Sequence, residues 1–175
     1  RQMCIRDSIR MDGIVDGYVI PDVKKFVDLD DETFRTFKVE KGDVLFNRTN
    51  SYELVGKTGT FLLTGNYVFA SYLIRLRLRR EMFEPHFLTL YVNFSQNRLK
   101  RLATRAIAQA NINSTNLKKF KVVRPSLEEQ LRIVSILTEL DEEIEEERKT
   151  KEQLEKTKKW FMQNLLAGKI RVKVD

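Results

Sequence analysis

Between Ser71 and Arg79 the chain alternates. Tyr72, Ile74, Leu76 and Leu78 take every second position, with Ser71, Leu73, Arg75, Arg77 and Arg79 between them. Period two predicts a strand whose first set faces the core and whose arginines face outward. Outward arginines serve either as a phosphate-facing ladder or as the solvated side of a sheet, and the second use is the commoner. Upstream, Phe37 and Val39 lead through Lys41-Gly42-Asp43 into Val44-Leu45-Phe46. A glycine in a polar triplet between apolar runs predicts a hairpin. Gly56, Gly59 and Gly65 mark further turns, each a place for positive φ. The acidic cluster Asp28, Asp30, Asp31 and Glu32 reads as a solvated turn ahead of that hairpin. Over residues 85–102 the period changes. Pro85 suits a first helical position, and Phe87, Leu88, Tyr91, Val92 and Phe94, extended by Leu99 and Leu102, form one broad apolar face. A polar loop over 104–116 and a final strand from Leu117 to Arg124 follow, with Phe120 and Val122 inward and Lys119 and Lys121 outward.

Ser126-Leu127-Glu128-Glu129 is a capping box, in which a hydroxyl and a carboxylate three residues apart satisfy each other's free backbone N–H groups. A helical pattern then runs to Ala167, and Gly168 offers a left-handed stop. Roughly 40 residues at 1.5 Å each make a rod of about 60 Å, longer than a small domain needs. Its apolar stripe is Ile133, Leu137, Leu140, Ile144, Leu154, Phe161 and Leu165, interrupted by polar residues near Glu147, Lys151 and Lys158. The steps fit a heptad seam that pairs with another helix.

The expected fold class is therefore α+β: a small twisted mixed sheet with flanking helices, then one long coiled-coil-type α-helix. The expected division is a start at 1–10 without usable periodicity, unstructured or artefactual; a domain at 11–125; the helix at 126–167; and a short strand or tail at 168–175. One cysteine, Cys4, and one histidine, His86, exclude an internal disulfide and a Cys/His zinc site. No apolar run is long enough for a membrane span, and a cytoplasmic location fits. Net charge is +7, yet Glu139–Lys159 holds nine acidic and six basic side chains. The surplus positive charge thus belongs to the globular part and the terminal segment, which favours a polyanionic partner. No phosphate loop, dinucleotide fingerprint or nucleophile elbow is present. His86 sits in an apolar helix and reads as a packed residue, and scattered carboxylates give a nuclease reading little support.

Two polar segments fit DNA contact. Asn47-Arg48-Thr49-Asn50-Ser51, with Lys57 soon after, combines residues that bind guanine and adenine edges in bidentate fashion with short hydroxyls suited to phosphate. Arg105 through Gln109, Asn111 and Asn113 to Ser114 repeats that vocabulary, with Ile107 and Ile112 anchored inward. Both also read as ordinary Asn-rich turns. Lys119 adds a cation on the last strand, and Arg98, Lys100 and Arg101 near the preceding helix end equally answer its dipole.

Gln109-Ala110-Asn111-Ile112-Asn113, Leu117, Arg124-Pro125, Glu129-Gln130-Leu131-Arg132-Ile133 and Leu137 together resemble the specificity subunit of type I restriction–modification systems. Lys41-Gly42-Asp43-Val44-Leu45-Phe46-Asn47-Arg48, Leu54-Val55-Gly56-Lys57 and Leu165-Leu166-Ala167-Gly168-Lys169-Ile170 are similar to it too, so the resemblance covers about residues 40–170. It implies a non-catalytic target recognition domain that reads one half of a bipartite site in double-stranded DNA. It also implies methyltransferase and restriction (motor) subunits as partners. S-adenosylmethionine, ATP and Mg²⁺ would be used by those partners, and no cofactor by this chain. Such subunits carry two recognition domains and two antiparallel helices, where this chain has one of each. The helix then mates with a second helix of the same chain or of a dimer partner. The alternatives are a coiled-coil adaptor that reads no DNA and a catalytic nuclease.

Overall fold

The computed structural model describes residues 5–21, 26–105 and 109–173. It divides into two compact units, Arg1–Leu131 and Arg132–Asp175. In chain order the first holds β1 (Ile5–Ile9), β2 (Ile14–Val15), β3 (Tyr18–Val19), β4 (Phe26–Asp28), α1 (Asp31–Phe37), β5 (Val44–Asn47), β6 (Thr49–Asn50) and β7 (Thr58–Thr60). Then come β8 (Tyr67–Phe69), β9 (Leu73–Leu76), α2 (Pro85–Phe94), α3 (Gln96–Lys100), β10 (Thr104–Arg105), β11 (Ala110–Asn111) and α4 (Ser114–Leu117). The long helix α5 (Leu127–Leu165) begins in the first unit and makes up most of the second. The class is α+β with a mixed sheet and a long C-terminal helix, as expected, though the strands form three sheets. These are ordered β4-β1-β8, β2-β3-β7-β5-β9 and β10-β11-β6. The β1–β8 and β3–β7 pairs are parallel and the others antiparallel.

β5 organises the first unit. It is flanked by β7 and β9, and all four of its residues are buried. Successive side chains leave a strand on opposite faces. Leu45 accordingly joins one core cluster with Ile9, Ile14, Val19, Val39, Phe61 and Leu73. Phe46 joins the other, with Val55, Leu88, Val92, Leu99, Ala110 and Ile112. A strand covered on both sides reads as a continuous apolar run, which is why Val44-Leu45-Phe46 shows no alternation.

The same two-sided burial corrects the expected strand 71–79. Regular pairing covers only Leu73–Leu76, and Leu73, expected outward, is in the first core while Ile74, Leu76 and Leu78 pack on the second. The arginines are no ladder. Arg75 donates to the Lys38 and Thr36 carbonyls and lies over the Phe69 ring, and burial pulls its pKa down. Arg77 and Arg79 are exposed.

Lys41-Gly42-Asp43 turns the chain but forms no hairpin, because Phe37 ends α1 and β5 pairs elsewhere. Gly42, at φ 86°, donates to the Phe61 carbonyl. The two-residue hairpin is instead β2–β3, with Asp16-Gly17 at φ 47° and 80°, the positive pair that a type I′ turn requires. The acidic cluster caps a helix: the Asp30 carboxylate accepts from the Glu32 and Thr33 N–H groups, and the Thr33 bonds lower its pKa. Gly56 and Gly65 have positive φ, whereas Gly59 sits inside β7 against the Tyr18 backbone.

The expected helix 85–102 breaks at Ser95 into α2 and α3. Phe94 is 90% exposed, because it stands two residues from Val92 and shares no helical face with it. The loop 104–116 contains β10, β11 and α4. The expected strand 117–124 is absent; residues after Leu117 are irregular up to α5. Phe120 and Val122 nevertheless pack inward as expected. Arg98 holds that segment by donating to the Lys121 carbonyl and covering the Phe120 ring. The start is also ordered from Ile5, as β1 pairs with β4 and β8 and Ile9 is fully buried. Residues 1–4 lie outside the described residues.

α5 starts one residue after the expected 126 and stops two before the expected 167, with the serine cap and the glycine stop both in place. Glu129 N donates to Ser126 Oγ at 3.2 Å. At the far end Gly168, at φ 68°, donates to the Leu165 carbonyl while Lys169 N reaches the Asn164 carbonyl, a Schellman closure. The described residues beyond it form no strand. A polar clasp fixes the first turn. The Gln130 side chain is fully buried. Its Nε2 donates to the carbonyls of Met82 and Pro125, each at 3.0 Å, and its Oε1 accepts from Glu84 N at 3.0 Å.

Three outcomes follow, each readable by urea denaturation. Phe46→Ala should lose about 3–5 kcal/mol through the cavity left in the second core. Gln130→Leu should lose about 3 kcal/mol because it strands one buried N–H and two carbonyls. Gln130→Glu should be pH-dependent as well. Its carboxyl must stay protonated to donate to a carbonyl, so its folded pKa rises above the ordinary value of about 4.3. Its stability is then complete below that pH and declines as pH rises. A pH-independent Gln130→Glu would contradict the clasp.

Candidate nucleic-acid interface

The two polar segments singled out in the sequence lie side by side. β6 pairs antiparallel with β11, Thr49 opposite Asn111 and Asn50 opposite Ala110, and β11 pairs with β10. Across 62 residues of chain, Asn111 Nδ2 donates to Thr49 Oγ1 at 3.1 Å. Arg48 is the crossing point between sheets. Its N–H donates to the Tyr72 carbonyl at 3.1 Å and its carbonyl accepts from Ile112 N at 2.8 Å. The buried Ile112 and Ala110 anchor this small sheet to the second core.

Individual candidates divide by role. Asn47, expected at a loop tip, is fully buried at the end of β5. Its backbone N–H donates to the Lys57 carbonyl and its carbonyl accepts from Gly56. Strand parity puts its side chain on the Leu45 face, where it lines a cavity and its Nδ2 and Oδ1 have no hydrogen-bond partner among the described residues. Asn113 is likewise structural: its Oδ1 accepts from Asn116 N at 2.8 Å and caps α4. Asn50 Oδ1 accepts from Ser51 N at 2.8 Å and Asn50 Nδ2 donates to Met11 Sδ at 3.1 Å, so this side chain shapes the turn after β6. Ser51 is half-buried.

Arg48 is half-buried, and its Nε is a buried atom with no partner among the described residues; the same is true of Asn111 Oδ1. Gln109 is exposed just before β11. Lys119 is exposed and in reach of Asn116 Oδ1 at 3.5 Å. Lys57 lines a cavity of about 250 Å³ with Met11, Asp12, Asn50 and Leu54. Arg105 belongs to β10 with its backbone opposite Ala110. Residues 106–108, including the expected anchor Ile107, lie outside the described residues.

One neighbour escapes sequence reading. Lys100 Nζ stands 5.5 Å from the centre of the Tyr52 ring, bringing a cation of the helical cluster beside the first polar segment. No periodicity links positions so far apart. Arg98, by contrast, is engaged within the fold. It donates to Tyr91 Oη at 3.0 Å, and that bond holds the phenol below its usual pKa. His86 is buried, stacked on Tyr18 with ring centroids 4.4 Å apart, and lies 3.3 Å from Thr60 Oγ1, a packed residue as expected. Among the described residues, no three His, Cys, Asp or Glu side chains converge as metal ligands. No described helix is long and apolar enough to cross a membrane.

Comparison with known proteins places this arrangement. A Methanocaldococcus jannaschii protein, provisionally named as the type I restriction enzyme MjaX specificity subunit, is 37% identical over 147 residues, which is 79% of this chain and 33% of that protein. The type I restriction enzyme MjaVIII specificity subunit of the same organism is 40% identical over 101 residues, 57% of this chain and 24% of the relative. The chain thus spans a third or less of the length of these curated relatives. The crystal structure of the HsdS subunit from Thermoanaerobacter tengcongensis shares the fold with a TM-score of 0.70 at 22% identity, over 95% of this chain and 43% of that one. The model of the type I restriction modification DNA specificity domain matches residues 6–156. With Arg48, Gln109 and Asn111 gathered around one small sheet and the family match running from β1 into α5, the chain belongs to the type I restriction–modification DNA specificity domain family.

Proposed function

We propose that this chain reads one half of a bipartite duplex DNA site through the sheet β10-β11-β6. It does so as the recognition part of a specificity subunit that scaffolds methyltransferase and restriction subunits. The observation that carries the reading is the joining of the two polar segments: Thr49–Asn50 and Ala110–Asn111 are hydrogen-bonded neighbours although far apart in sequence. Arg48 supplies the fork-shaped donor suited to a guanine edge. Gln109 and Asn111 supply carboxamides, and Lys57, Lys119 and Arg105 supply charge for phosphates. Asn47 and Asn113 hold the scaffold. Chemistry that uses S-adenosylmethionine, ATP and Mg²⁺ belongs on this reading to the partner subunits, and this chain contributes recognition. The stripe on α5 supplies the helix-pairing element.

Filter binding to a library of duplexes, with and without a methyltransferase partner, tests it. Arg48→Ala should lower the preference for the favoured site by about 1–3 kcal/mol while leaving background binding largely intact. Lys57→Ala and Lys119→Ala should weaken binding to every duplex and each reduce the salt slope by about 1. A chain that prefers no duplex in either setting is an adaptor instead, and the reading fails.

A further inference from the structure

Resting on that reading of the small sheet, we propose that the cavity beside β6 takes the C5-methyl edge of one thymine in the half-site, giving the domain an apolar reader. The cavity measures about 250 Å³. One wall is Met11 with Ile14 and Val15 of β2; the other is Leu54, in the turn after β6. Asn50 joins the cavity to the reading sheet. It lines the space, belongs to β6, and donates from Nδ2 to Met11 Sδ at 3.1 Å. The turn that carries Leu54 hangs on the end of β5: Asn47 N donates to the Lys57 carbonyl and the Asn47 carbonyl accepts from Gly56 N. Val15 and Leu54 are 39% and 47% exposed, so apolar surface reaches solvent directly beside the first polar segment. Of the two charged lining residues, Asp12 is offset by Arg10 at 3.7 Å. The other, Lys57, is half-buried.

The chemistry of the walls and floor selects the ligand. Of the groups on a major-groove edge, only the thymine methyl is apolar. An aliphatic side chain of a protein partner would also suit the walls, but it fails at the floor. There the Asn47 carboxamide is fully buried, with neither Nδ2 nor Oδ1 paired among the described residues. An apolar occupant would leave that donor and acceptor stranded, which costs free energy. Beside its methyl, an A·T pair carries the thymine O4 acceptor and the adenine N6 donor, the complement of a carboxamide. The methyl then goes to the walls and the polar pair to Asn47. Asn47 is closed off until the side chains of Met11 and Leu54 part. Methionine is flexible and Leu54 is half-exposed, so that movement costs little. Lys57 answers the phosphate charge that arrives with the base.

Binding of the whole chain, with its methyltransferase partner, to the favoured duplex tests the assignment. Each thymine is replaced in turn by deoxyuridine, which removes only the methyl. One position should lose about fourfold in affinity, the worth of one buried methyl. In Leu54→Ala the same replacement should cost less than about twofold, because the wall that meets the methyl is gone. Leu54 lies outside both core clusters, so circular dichroism of this variant should match the wild type. Asn47→Leu should bind the favoured duplex about tenfold more weakly. Its urea midpoint should not fall, since its side chain gives up no partner within the described fold. A favoured half-site that holds no thymine, or whose thymines all tolerate deoxyuridine, overturns the proposal and leaves reading by Arg48 standing. A sensitive position whose loss is undiminished in Leu54→Ala also overturns it, because the methyl is then met elsewhere. So does an Asn47→Leu variant that unfolds in less urea yet binds as tightly as the wild type. A chain that prefers no duplex sinks the DNA reading and this proposal with it.

Discussion

The buried carboxamide of Gln130 is the constraint on which the start of α5 within the first unit depends. A helix start leaves free backbone groups, and the loop ahead of α2 leaves free the carbonyl of Met82 and the N–H of Glu84. One side chain with two donors and an acceptor satisfies groups from three places at once: Met82, Glu84 and Pro125. No other residue of that length carries both functions without charge. The first turn of α5 therefore belongs to the polar interior of the first unit, held there by directional bonds.

The second constraint is the double burial of β5. With Leu45 and Phe46 committed to opposite cores, the strand cannot slip by one residue without exchanging its two sets of contacts. Its exit at Asn47 is thereby fixed, and so is Arg48, whose backbone joins the large sheet to the small one. The recognition surface inherits its geometry from that register. Loops that carry function on a rigid scaffold are the general pattern. Here the scaffold reaches into the supposed loop itself, since Thr49 and Asn50 form a strand.

Legibility in the sequence followed the length of the signal. α5 was legible to its ends because Ser126 and Gly168 are local chemistry and its period repeats for 39 residues. Pro85 and the packed His86 were legible for similar reasons. The β2–β3 hairpin was missed although Asp16-Gly17 is a strong turn pair, because strands of two residues show no alternation. β9 misled because alternation assumes one buried face and this strand has two. The segment after Leu117 kept the inward parity of Phe120 and Val122 but not a strand, since Arg98, an interaction invisible to local pattern, supplies its tether. At the interface the types of residue were legible and their roles were not. Asn is equally suited to a base edge, a buried strand end and a helix cap; Asn47 is buried at a strand end, Asn113 caps α4 and Asn111 bridges β11 to β6, differences that burial and partners alone reveal.

That division of roles limits how recognition works in such a domain. Most polar side chains in the two segments already spend their hydrogen bonds on the fold: Asn113 on α4, Asn50 on its own turn, and one end of Asn111 on Thr49. On the proposed reading, base contact then rests on few groups, Arg48 and Gln109 foremost. A small set of readers gains selectivity only if the duplex is held firmly in one place. The charge distribution supplies that confinement. The acidic run on α5 repels phosphates, while the surplus positive charge lies outside the span Glu139–Lys159. Because the phosphate term dominates affinity, the duplex of the proposed reading belongs with the surplus positive charge and not with the acidic run of α5.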